Sequence, residues 1–201
     1  MKKFSKRFLP IFFATTIYTF ADIGLSVPFF TGIEHEHIFD SQESKILKDD
    51  SISGFGLVYD SNVRDNRLYN WRTSVELNNI DLDNGNSFKT LFITNTLGIS
   101  LFRNKRVRLF VGPRISIGLE DREEDKSGGT FLYGGAVGLN VHVTDSISLG
   151  LDFDYAVGSS NIIHEDCEEC EYTEDLSGSS ARFYLLFSFG SDENQYRTNQ
   201  I

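Results

Sequence analysis

The stretch LFITNTLGISL at residues 91–101 and, after a break at Asn104-Lys105, VRLFVGPRISIGL at 107–119 decide the fold. Leu91, Ile93, Leu97, Ile99 and Leu101 alternate with polar or small residues, and so do Val107, Leu109, Val111, Ile115, Ile117 and Leu119. A period of two means strands with two unlike faces, and a break this short makes the pair an antiparallel hairpin.

Working outward, the same alternation recurs on odd positions along the chain. It runs through Ile23, Leu25, Val27, Phe29 and Ile33, then Phe55, Leu57 and Tyr59, then Tyr69, Trp71, Val75 and Leu77. Beyond the hairpin it continues through Phe131 to Val141, Ile147 to Val157 and Ala181 to Phe189. Eight strands result, and amphipathic helical periodicity is absent from all of them.

The even positions discriminate between a soluble sandwich and a membrane barrel. A sandwich shows water a face rich in Lys and Glu. Here that face holds Gly, Ser, Thr and Asn with a few charges of both signs, Glu34, Arg72, Glu76, Arg108, Arg114, Asp152, Asp154 and Arg182. Such a set suits a crowded interior lined by small side chains and paired charges. Aromatics at strand ends, among them Tyr59, Tyr69, Trp71, Phe131, Tyr155 and Phe189, match interfacial girdles. The apolar face is therefore expected to meet lipid, with Leu97 and Val111 near mid-bilayer. The short breaks at Asn104-Lys105 and Thr144-Ser146 read as inner turns, and the longer segments 40–50, 120–129 and 159–178 as outer loops.

Lys2, Lys3, Lys6 and Arg7 ahead of the apolar run Phe8 to Ala21 read as a secretory signal peptide cleaved after Ala21. The run is shorter than the roughly 20 residues of a membrane helix. The expected organisation is thus 1–21 signal peptide, 22–190 barrel and 191–201 a polar tail. The chain of 201 residues carries a net charge of −10. Loss of the four cations of the signal takes this to −14, which excludes nucleic acid as a partner, since phosphate binding needs clustered Lys and Arg. A mean hydropathy of −0.23 excludes a helical membrane bundle.

With these runs in view, the chain resembles the small eight-stranded outer-membrane β-barrels, the group of OmpA-like transmembrane domains and OmpX-like proteins. The resemblance covers residues 22 to 190 and rests on architecture. Two local runs add to it, Gly54 to Asp60 leading into Leu68 to Trp71, and the aromatic strand Arg182 to Phe189. It implies an all-β, eight-stranded antiparallel up-and-down transmembrane barrel in the outer membrane of a Gram-negative-type bacterium. It also implies a monomer embedded in lipid and handled by the barrel-assembly machinery, which in such families recognises a terminal Phe. Here Phe189 is followed by Gly190 and the tail to Ile201.

Candidate chemistry is sparse. His164-Glu-Asp-Cys-Glu-Glu-Cys-Glu171 gathers two thiols, an imidazole and carboxylates. Export favours a Cys167 to Cys170 disulfide over a zinc site. Seven acids and no Lys or Arg between Ser159 and Gly178 make a solvated acidic surface, and a weak divalent-cation site is the other reading. His35 and His37 share a strand face across Glu36, which is too few ligands for a metal centre. Gly134-Gly135-Ala-Val-Gly138 lies inside a strand with no following helix and is no phosphate loop. His142, Ser146 and Ser148 lack an evident acid for a triad. No cofactor is expected.

The inward charges Arg72, Glu76, Arg108, Arg114, Asp152, Asp154 and Arg182 are expected to pair across a narrow lumen, because unpaired charges there are costly. Strand-height counting puts Glu76, Arg114, Asp154 and Arg182 at one level and Arg72 with Asp152 lower, with Asp154 and Arg182 the nearest neighbours. Eight strands leave an interior that side chains fill. The leading expectation is a non-enzymatic barrel whose acidic loops bind an unknown extracellular ligand or serve surface structure. The alternatives are a narrow pore or conduit for small or apolar solutes and a lipid-modifying enzyme.

Overall fold

The computed structural model describes residues 22–37, 45–61, 68–122, 126–164 and 171–188. The expected signal peptide, the tail and the Cys167 and Cys170 pair lie outside them, as does Phe189. Eight strands follow one another: β1 (Asp22–His37), β2 (Lys45–Asp60), β3 (Tyr69–Leu82), β4 (Ser87–Arg103), β5 (Val107–Arg122), β6 (Lys126–His142), β7 (Ile147–His164) and β8 (Glu171–Ser188). Each pairs antiparallel with the next, and β8 returns to pair with β1, from Asp22 opposite Ser188 to His37 opposite Glu174. The ring is closed, so no sheet edge is left exposed.

Sidedness follows from the alternation. Odd residues of β3 to β8 form the outer wall and even residues the lumen, except Phe102, which faces outward beyond a bulge near the end of β4. Phe55 is 65% exposed and Leu119 63%, while Glu76 and Asp152 are fully buried. The polar groups are inside and the apolar ones outside, the inverse of a water-soluble domain. Leaving such a wall in water forfeits about 25 cal/mol per Å² of apolar surface, and lipid is the solvent that removes this cost.

The two ends differ. At the end where β1 begins, called the base, side chains cap tight turns. Asn104 Oδ1 accepts from the amides of Arg106 and Val107 at 2.8 and 2.7 Å, and Thr144 Oγ1 from those of Ser146 and Ile147. Tyr59 and Trp71 meet edge to face near this end, their ring centroids 6.4 Å apart. At the opposite end, the mouth, Gly85 turns the chain from β3 to β4 at φ 86°, a conformation that glycine adopts without strain.

Strands of 14 to 18 residues outrun the roughly 9–11 needed to cross lipid, so the ladder continues above it. The segments 120–129 and 159–178, expected as loops, are mostly strand: Glu120 pairs with Gly128 and Ser159 with Asp175. In these segments the outer face carries Asp121, Asn161, Thr173 and Asp175, which erases the alternation that marks a strand in the sequence.

Three bulges break the shared parity. In β1 the register against β8 shifts between Pro28 and Phe30, so Phe29 and Phe30 both face outward. Beyond the bulge the odd residues point inward. Ile33, expected on the lipid face, packs toward the lumen, and Glu34, expected inside, lies outside with its carboxylate 2.6 Å from Lys48 Nζ. In β2 a shift between Asp49 and Ser51 turns Asp49 and Leu47 inward. Between these strands the ladder is interrupted. Asp22 to Ser26 pair with Asp60 to Gly56, and Glu34 to His37 pair with Lys48 to Lys45. The intervening residues 27–33 and 49–55 form no β1–β2 pairs. Pro28, which has no N–H to donate, sits in this seam.

Candidate functional site

The lumen is layered. Nearest the base, Val58, Tyr184 and Leu186 form a buried apolar cluster beside Asn70 and Asn140. Phe110 lies across the lumen in a slot left by two glycines: a Cβ at Gly98 would stand 2.6 Å from its ring, and one at Gly138 would overlap it.

Above this lies a continuous charge network. Arg72 donates from Nε to Asp60 at 2.9 Å, from Nη1 to Asp152 at 2.5 Å and from Nη2 to Asn140 at 2.6 Å. Its guanidinium lies over the rings of Tyr184 and Phe110, 4.4 and 5.1 Å from their centroids. Asp152 also accepts from Arg114 Nη2 at 2.7 Å, and Arg114 Nη1 donates to Asp154. Asp154 takes Arg182 Nη1 at 2.6 Å and Ser180 Oγ at 2.8 Å. Arg182 Nε donates to Glu76 at 2.9 Å, and Glu76 accepts from Ser26 Oγ at 2.6 Å. Seven strands, all but β4, are tied across the interior by these bonds. Arg108, the remaining inward charge named from the sequence, donates from Nε to Ser100 at 2.7 Å nearer the base. Asp60, at the end of β2, is a member that the alternation did not single out.

Phe92, Leu132, Ala156 and Leu176 form an apolar layer above the charges, with Ile33 against it. Over that layer stands a second polar cluster. His35 lies between two carboxylates, Nε2 at 2.9 Å from Asp49 and Nδ1 at 3.2 Å from Glu174. Arg122 grips Glu174 with both terminal nitrogens at 2.7 Å and donates from Nε to Glu120 at 2.8 Å. Thr130 donates to Glu120, and Thr31 donates to Asp49 at 2.5 Å. Burial alone would depress the His35 pKa, but hydrogen bonding and charge from Asp49 and then Glu174 outweigh it and raise it from 6.5 to about 9. Leu47, Ile80, Leu82 and Phe88 close the mouth above, and the Phe88 ring meets His35 edge to face.

The mouth cluster escaped sequence reading except for His35. The available signal was the adjacent pair Phe29-Phe30, two apolar residues in a row inside an alternating strand, which marks a bulge and a change of face. Glu36 is exposed, so it does not join His35. At the base, His142 Nδ1 and Ser148 Oγ lie 2.8 Å apart as a cross-strand pair, with Ser148 fully buried. A nucleophile so enclosed is out of reach of an acyl chain. Ser146 sits in the adjoining turn. Gly134, Gly135 and Gly138 lie within β6, opposite β7.

Comparison with solved structures finds the same fold. The outer membrane protein OprG from Pseudomonas aeruginosa aligns at a TM-score of 0.55 and 11% identity, over 86% of this chain and 98% of that one. Outer membrane protein AlkL, solved in DMPC bilayers, aligns at 0.58 and 11%, over 87% and 93%. No family model matches the sequence, and no curated protein matches it. Closed eight-stranded topology, an apolar outer wall and this likeness give the chain the fold of a small eight-stranded outer-membrane β-barrel.

Proposed function

We propose that this chain is a plugged outer-membrane barrel with a structural or surface-binding role and no catalysis, its mouth facing outward and its base the periplasm. The observation that carries this reading is the unbroken network from Asp60 through Arg72, Asp152, Arg114, Asp154 and Arg182 to Glu76, roofed by the apolar layer. Charges paired on every side leave no open water path through eight strands. The ligand of the mouth is a partner outside the cell, and lipid and the assembly machinery are the partners within it. In planar bilayers the wild type is expected to show little steady conductance, and the double variant Arg114→Ala, Arg182→Ala clearly more. A large wild-type conductance insensitive to both changes would remove the plug and leave a channel.

A second reading, a conduit for small apolar solutes, is favoured by the seam between β1 and β2. Ile33 and Ile52, both within the unpaired stretch, pack on the two apolar clusters of the upper lumen, so an apolar path joins lumen and lipid above the charges.

For the cysteines we propose a Cys167 to Cys170 disulfide. Exported protein should then resist thiol alkylation until a reductant is added. Immediate labelling in metal-free buffer that zinc blocks would instead support the metal site.

A further inference from the structure

The wall has one place where side chains do the work that a backbone ladder does elsewhere. Below the seam, β1 is tied inward through Ser26, which donates to Glu76 of β3. At its upper end β1 is tied to β2 by the short ladder from Glu34 to His37, by the outer Glu34–Lys48 pair and, on the lumen side, through Thr31 and His35, whose bonds both end on one carboxylate, Asp49. Asp49 is the first residue of β2 past the paired run. On its other side the His35 ring meets Glu174 of β8. One imidazole therefore spans three strands just above the stretch where two of them lack pairing, His35 itself being paired with Leu47.

We propose that the β1–β2 seam is a side opening held shut by His35, which bridges Asp49 of β2 to Glu174 of β8 and releases β2 when the ring loses its proton. The bond count gives the reason. Two carboxylates flank the ring, and only the imidazolium has an N–H for each. A neutral ring keeps one donor and turns a lone pair toward the other carboxylate, so one bond becomes a repulsion. The charge balance agrees. Against the ring are Asp49 from β2 and Glu174 from β8, and around Glu174 stand Tyr172 of β8 and Arg122 of β5, the latter held in turn by Glu120. Lys126 of β6 adds its charge nearby, β3 and β4 contribute the apolar Ile80, Leu82 and Phe88, and β6 and β7 the neutral Thr130 and Ser160. The three acids of the cluster are thus bonded to Arg122 or His35, and loss of the imidazolium leaves a surplus of negative charge between β1, β2 and β8.

The direction in pH follows. With its pKa raised from 6.5 to about 9, the ring contributes its full stabilisation below about pH 6.5 and loses it as pH rises through about 9. The seam begins among the lipid-facing Val27, Phe29, Phe30 and Phe55 and ends at the polar Ser51 and Asp50, so it would open at the border of the outer leaflet. The inference concerns the wall, and rests on the conduit reading only for its consequence for solutes.

The test places spin labels at Phe29 and Ser53, both outward and on opposite sides of the seam, in protein held in lipid vesicles. A second pair at Ile93 and Ile117 spans an intact ladder. Raising pH from 7 to 10 is expected to broaden the seam distance and lengthen it by about one strand spacing, ~5 Å, with the control pair unchanged. His35→Gln, neutral at every pH, should show the long distance already at pH 7 and no further change. A seam distance that stays constant across this range in the wild type overturns the proposal whether or not the variant folds, as does an equal change in the control pair. Passage of an apolar fluorescent dye through the same vesicles separates the two readings. Movement without dye passage sinks the conduit and keeps the latch, and pH-independent passage with a fixed seam does the reverse.

Discussion

Arg72→Ala is expected to lower the folding free energy in bilayers by about 3–5 kcal/mol, the cost of leaving buried charge unpaired. Its side chain is 2% exposed, and its removal strips Asp60 of two contacts, Asp152 of one and the Asn140 side-chain oxygen of its donor at 2.6 Å. Two aromatic faces lose their cation as well, and the space left is enclosed by Phe110 and Tyr184. Arg72→Lys should recover little. One ammonium lacks the fork that reaches Asp60 and Asp152 at once. Arg182→Ala should cost somewhat less, because that side chain is 10% exposed and water can reach the acids it leaves. Equilibrium unfolding in lipid vesicles measures each value, and pairing Arg72→Ala with Asp60→Asn in a double-mutant cycle separates the pair from its surroundings. A loss below about 1 kcal/mol for Arg72→Ala would mean that the network is hydrated throughout and does not act as a plug.

The parts of this protein that are legible in its sequence are those governed by the lipid. From β3 to β8 one apolar residue in two must face hydrocarbon, and that demand writes strand number, sidedness and the inward charges into the alternation. Strand height also groups Glu76, Arg114, Asp154 and Arg182, the four that join one another in the upper part of the network. Where lipid stops acting, the signal stops with it. Arg122 and Glu174 stand beside the outward polar residues Asp121, Thr173 and Asp175, so no apolar neighbour marks them as lumenal. The inward placement of His35 and Asp49 is hidden for a different reason. A bulge in each of β1 and β2 reverses the face on which odd residues lie, so parity counted from Ile23 assigns Glu34 to the lumen and Ile33 to the lipid, both incorrectly. The seam itself is a pairing property of two strands, and only Pro28 with the Phe29-Phe30 pair hints at it.

Leu97→Arg should cost about 2–4 kcal/mol of folding free energy in bilayers, the penalty for a cation on the lipid face near mid-membrane. Leu97 is 53% exposed on the outer wall, between the exposed Ile93 and Leu101 along β4. The same change at Val111, one strand on, should cost a similar amount. Depth supplies the control. Leu119 is the last apolar residue of β5 before the exposed Asp121, so Arg there can extend its charge to the interface and should cost only about 0–1 kcal/mol. Gly98 cannot serve as the inward comparison, because Phe110 and Asn70 already occupy the space that any side chain would need. A charge there fails for steric reasons whichever solvent lies outside. Unfolding titrations of Leu97→Arg, Val111→Arg and Leu119→Arg in the same vesicles therefore measure the hydrocarbon profile along the wall. Equal costs at all three positions would mean that this wall is not in contact with lipid, since only a bilayer grades the penalty by depth.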